Sequence, residues 1–105
     1  MPRPDAQELA KLLVEIGRRA LLEGGNPYKA KAYLRAAESL RHLARPLEEL
    51  IKAGQLQEIA GVGAAIARRI VTLGRQGRDP WLEKLRAKYP ATLFELFQGL
   101  GRPPS

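Results

Sequence analysis

Leu56-Gln57-Glu58-Ile59-Ala60-Gly61-Val62-Gly63-Ala64-Ala65-Ile66-Ala67-Arg68-Arg69-Ile70 decides how the rest of the chain is read. Apolar residues at helical spacing enter a Gly-X-Gly turn and leave it in a second helical run that continues through Val71 and Leu73. Two glycines one residue apart allow backbone angles closed to other residues and remove the side chains that would keep a ligand away. The helix that follows is therefore expected to begin with bare amides facing outward. Those amides and the positive end of the helix dipole make a small anion site, with Arg68 and Arg69 about one turn further on. Phosphate is the expected guest.

The order Ile59, Ala60, Gly61-Val62-Gly63, Ala64-Ala65, Ile66-Ala67 resembles the helix-hairpin-helix motif, a unit that binds the DNA backbone. A tight helical corner whose glycines serve packing alone is the plainer reading. A dinucleotide-binding fingerprint is a poor rival, because no third glycine follows at the required spacing and the preceding segment reads as helix.

Composition narrows the partner. The 105 residues suit one domain with a single core. Cysteine is absent, so disulfides and thiolate metal sites are ruled out, and the single His42 makes no zinc site by itself. No signal-peptide order opens the sequence and no apolar run reaches membrane-spanning length, which leads to the expectation of a cytoplasmic protein with no membrane partner. The net charge is +7. Residues 26–45 carry +4 and residues 61–88 carry +5, whereas 46–60 are at −2 and both ends are neutral. Basic charge concentrated in two segments, one beginning at the Gly-X-Gly turn, points to a polyanion.

No segment alternates with strand periodicity, so the expected fold is all-α, a compact bundle of about five to six short helices. The first runs from Asp5, its N-cap, to about Glu23 and buries Leu9, Leu12, Leu13, Ile16, Ala20 and Leu21; its charges balance, so it reads as scaffold. Asn26-Pro27 caps a second helix to about Leu43, burying Ala30, Tyr33, Leu34, Ala37 and Leu40 while Lys29, Lys31 and Arg35 point away. A short helix from Leu47 ends at Gly54, and one further turn spans Leu56 to Glu58. The post-hairpin helix starts near Ala64 and stops by Gly74 or Gly77. Asp79-Pro80 starts another helix, with Trp81 as core, and Pro90 opens a last one through Leu93, Leu96 and Phe97.

Taken together, Gly25-Asn26-Pro27-Tyr28, Lys31-Ala32-Tyr33-Leu34-Arg35-Ala36-Ala37, Gly54-Gln55-Leu56, the hairpin and Pro80-Trp81-Leu82-Glu83-Lys84-Leu85 resemble the amino-terminal domain of the family X DNA polymerases. The likeness spans roughly residues 6 to 101. It implies a helical bundle that grips gapped or nicked double-stranded DNA by a 5′-phosphate, in DNA repair, beside a polymerase or nuclease partner or further domains. By position it implies phosphate binding by Gly61, Val62, Gly63, Ala64, Ala65, Arg68, Arg69, Lys29, Tyr33 and Arg35. It also implies a monovalent cation, Na+ or K+, held by the main-chain carbonyls of Gln57, Ile59 and Val62, with no other cofactor.

Some relatives remove a 5′-deoxyribose phosphate through a lysine imine, and the position of that lysine is Arg69 here. A guanidinium stays protonated and offers no amine lone pair, so no lyase activity and no catalytic residue is expected. Lys29 or Lys31 would be the substitute nucleophile of the alternative, a lyase domain. Two further basic positions of the family pocket fall at Ala65 and Gln57. A third reading, a helical protein-interaction module, would use Tyr28, Trp81, Tyr89 and Phe97. The polymerase palm has no counterpart in these residues, so polymerisation is not expected. Residues 99–105 read as a tail or as the remnant of a second hairpin, which fits either a piece of a longer polymerase or a stand-alone relative.

Overall fold

A computed structural model describes residues 5–24 and 26–89. Five α-helices follow in order, α1 (Ala6–Leu22), α2 (Pro27–Arg41), α3 (Leu47–Ala53), α4 (Ala64–Gln76) and α5 (Pro80–Lys88), with a 3-10 turn at Leu56–Glu58 before the hairpin. Among the described residues there is no strand, and no helix is long and apolar enough to cross a membrane.

The helix starts are set by side-chain caps. Asp5 accepts from the Glu8 amide at 2.8 Å, Asn26 from the Tyr28 amide at 2.9 Å, and Asp79 from the Trp81 and Leu82 amides at 2.9 and 3.2 Å. Each satisfies amides that the first helical turn leaves open, and Pro27 and Pro80 occupy the position where a missing N–H costs nothing. The most extensive packing is between α1 and α2. It is close because Gly17 has no side chain: a Cβ there would lie 3.1 Å from Tyr33 Cβ and 3.2 Å from the Ala30 carbonyl. Around this pair one core gathers Leu9, Leu13 and Ile16 with Leu40, Leu50, Ile70, Leu73, Leu82 and Leu85.

Several sequence expectations need correction. Leu21 and Leu34 are 50% and 40% exposed. At 100° per residue each lies about 80–110° from the centre of its helix's buried face, which Arg19 and Ala36 complete instead. The second helix stops at Arg41, two residues early. Gly74 lies buried within α4, against Ile51, and the helix continues to Gln76 before Gly77 ends it. Trp81 is half-buried at an edge, not central. The helix expected from Pro90, with Phe97 and the tail at 99–105, lies outside the described residues.

Candidate nucleic-acid interface

The hairpin sorts its residues by side. Ile59, Val62 and Ile66 are buried in the core, whereas Ala60, Gly61, Gly63, Ala64 and Ala65 are exposed. The turn closes on a Val62 amide to Ile59 carbonyl bond of 3.0 Å, and Ser39 of α2 donates to the Ala60 carbonyl at 2.7 Å. Gly61 takes φ +82°, with the stem of Arg35 lying across it. Arg35 and Ser39, one turn apart on α2, thus hold the turn from one side.

Beyond the turn, the first main-chain bond of α4 runs from Ala67 to Gly63 at 2.9 Å, and no side chain caps the helix. The amides of Ala64, Ala65 and Ile66 are left without a helical acceptor. Gly63 is extended, at φ −92° and ψ −172°, and a Cβ there would meet nothing within 4 Å. Neither strain nor packing among the described residues requires a glycine at that position.

Beside this edge lies a cleft of about 370 Å³ lined by Lys29 and Tyr33 of α2, Ala65, Arg68, Arg69 and Thr72 of α4, and Asp79. Five residues predicted from sequence thus meet in one place. Arg35 sits over the neighbouring turn, and Gln57 lies on the other flank of α4 with Ala64. Lys29, Arg35 and Arg68 have no ion pair among the described residues.

Arg69 is differently placed. Its Nη1 donates to both carboxylate oxygens of Asp79, at 2.8 and 2.9 Å, and Asp79 is 2% exposed. Partial burial works against the charged guanidinium, but hydrogen bonds to Asp79 and Tyr33 outweigh it and hold the Arg69 pKa above its ordinary value. Burial raises the Tyr33 hydroxyl, opposed by Arg69. The Trp81 ring completes the set: Lys29 Nζ lies 4.7 Å and Arg69 Cζ 4.6 Å from its centroid, and Tyr33 packs at 6.0 Å. Arg69 meets Asp79 through Nη1 alone, and its charge is already balanced there.

Sequence reasoning identified Asp79 only as a cap and missed its pairing with Arg69, ten residues away across a turn. A buried acid facing an arginine carries no periodic signal. Trp81 was assigned to the core, though Asp79-Pro80 places it at the first turn of α5, next to whatever Asp79 binds.

The carbonyls assigned to a cation are open in part. Those of Gln57 and Val62 accept no hydrogen bond within the described residues, and that of Ile59 uses one of two lone pairs on the Val62 amide. Among the described residues no cluster of three His, Asp or Glu side chains could hold a metal ion. Of the four aromatics considered for protein contact, Tyr28 is 77% exposed, Trp81 and Tyr89 are half-buried, and Phe97 lies outside the described residues.

A protein-family model described as "Helix-hairpin-helix domain" matches residues 4–79, which include the hairpin, the cleft and the packed α1–α2 pair. Domains of this kind are generally associated with DNA binding that does not depend on sequence. No curated protein matches the chain.

Proposed function

We propose that this chain, which belongs to the helix-hairpin-helix domain family, binds DNA through the sugar–phosphate backbone at its own hairpin. The observation that carries the reading is Gly63. It is a glycine without internal cause, placed where open amides of α4 adjoin three cations that have no carboxylate partner among the described residues. A phosphate at that edge would accept from the Ala64 and Ala65 amides and face Arg68, while Arg35 meets the next phosphate along the strand. Such contacts position a duplex without reading its bases.

The finer proposal is that the Lys29–Tyr33–Arg68–Arg69 cleft takes the 5′-phosphate of a gap or nick, as the family X resemblance implies, and that the setting is DNA repair. The carbonyls of Gln57, Ile59 and Val62 suit a monovalent cation, which would supply positive charge between turn and phosphate. Chemistry is not proposed: Arg69 has no amine lone pair and donates to Asp79, and Lys29 and Lys31 are both exposed.

Titration of intact, nicked and gapped duplexes, with and without the 5′-phosphate, tests partner and site together. The expected order places the 5′-phosphorylated gap first, with Lys29→Ala weakening that substrate more than intact duplex. Equal affinity for phosphorylated and dephosphorylated gaps would remove the end-binding proposal and leave backbone binding. Borohydride treatment with an abasic substrate is expected to trap no covalent adduct; an adduct would establish the lyase reading instead.

A further inference from the structure

Trp81 is the only tryptophan in the sequence, and two cations of the phosphate cleft lie against its ring. Lys29 Nζ reaches the ring from the first turn of α2, 4.7 Å from the centroid, and Arg69 Cζ from the second turn of α4, at 4.6 Å. Tyr33, one turn beyond Lys29, tilts against the same ring at 6.0 Å and 54°. The Asp79 cap sets this arrangement, since it fixes where α5 begins and Trp81 follows Pro80 in the first turn. Both cations line the cleft and Trp81 does not, so the ring acts on a ligand there only through them.

We infer that Trp81 is a positioning residue for the 5′-phosphate, its ring fixing Lys29 and Arg69 in place before the DNA end arrives. The inference rests on the end-binding proposal above for the identity of the ligand. Arg69 is held at two points, by the ring and by Asp79 through Nη1. Lys29 has no ion pair among the described residues, and the ring is the contact that orders it. A lysine ammonium otherwise moves on a flexible four-carbon stem, and ordering that stem is a cost of binding. An ammonium against a π face keeps its charge and its N–H donors for phosphate, whereas a carboxylate partner would cancel the one and occupy the others. Lys29 is thus aimed while still uncompensated. Packing alone would be served as well by a leucine, which has no aromatic quadrupole.

Because no other tryptophan is present, biosynthetic incorporation of fluorinated tryptophan alters this ring and nothing else. Successive fluorines withdraw charge from the π face at nearly constant shape, so they weaken the hold on both cations while the packing stays. The quantity measured is the ratio of affinities for a gapped duplex with and without its 5′-phosphate. It is expected to fall stepwise from the mono- to the trifluorinated protein, by about twofold to fivefold in all, the worth of one cation–π contact. Trp81→Leu should lose as much and Trp81→Phe should recover part, each affecting intact duplex less. In a Lys29→Ala background the effect of fluorination should shrink, because one of its two cations is gone. If Trp81→Leu does not fold, the fluorinated proteins carry the test. A ratio constant across the fluorinated series, in a wild type that does prefer the phosphorylated end, overturns the inference and leaves the end-binding reading standing. A wild type without that preference removes the end-binding reading and the inference together. Fluorination that weakens gapped and intact duplexes equally would assign Trp81 to the fold and overturn the inference as well.

Discussion

A methyl group on Gly61 would meet Arg35 Cγ at 3.0 Å on a backbone held at φ +82°, whereas a methyl group on Gly63 would meet nothing within 4 Å on an extended backbone. Gly61→Ala is therefore expected to destabilise the fold by about 1–2 kcal/mol, the cost of a left-handed side chain. Gly63→Ala should leave stability unchanged or raise it by up to ~1 kcal/mol, because the unfolded chain loses freedom, while still weakening DNA binding. Urea denaturation and DNA titration of both variants separate these effects; loss of stability at Gly63 would return that glycine to a packing role. Asp79 carries two duties at once, capping α5 and balancing Arg69. Asp79→Ala loses both and should cost roughly 1–3 kcal/mol, while Asp79→Asn retains a capping oxygen and should cost less. Urea midpoints that place Asn at or below Ala would show that the ion pair, and not the cap, dominates.

Helix boundaries were legible wherever a cap and a proline stood together, because Asn26-Pro27 and Asp79-Pro80 act on their own local backbone. The hairpin was legible for the same reason, its glycines and apolar positions being contiguous. The ion pairs of Glu15 with Arg19 and Arg86 were not, because α1 is neutral when its charges are only counted and Arg86 stands on another helix. Plotted around the helix, Lys11, Val14, Glu15 and Arg18 fall at i, i+3, i+4 and i+7, a stripe that the linear count conceals. The clamp from Glu15 to Arg86 joins α1 to α5 across 71 residues, beyond any local pattern. Its hydrogen bond from Arg86 holds the Glu15 carboxyl below its ordinary value, against burial, and so gives these helices a pH response. A carboxylate whose folded pKa is depressed stabilises the fold above its unfolded pKa, and that contribution disappears as pH falls through the folded value. The thermal midpoint of wild type should thus exceed that of Glu15→Gln at neutral pH, with the difference shrinking below the usual carboxylate range. A gap that stays constant from neutral pH to pH ~3 would show that Glu15 acts through packing and not through charge.

At the scale of the whole molecule, the fold separates paired charge from unpaired charge. Arg69 and Arg86 each meet a carboxylate, while Lys29, Arg35 and Arg68 surround the hairpin with no acidic partner among the described residues. Only the second group adds to the counterion exchange that drives DNA binding. Each phosphate neutralised releases condensed cations, so three such contacts predict a slope of log K against log salt of about −2.7 for the hairpin site. Affinity for a single duplex should then fall about 40-fold between about 50 and about 200 mM salt, and Arg68→Ala should reduce the slope by about 0.9. Arg69→Ala should change it less, because its charge is already balanced by Asp79. Exchanging the base sequence at constant length should alter affinity by less than about fivefold, the discrimination that a single base contact of ~1 kcal/mol would bring. Fluorescence anisotropy with a duplex of about one helical turn checks these values. A flat salt response there would mean that the unpaired cations do not face phosphate, and a large sequence effect would mean that base edges reach the protein.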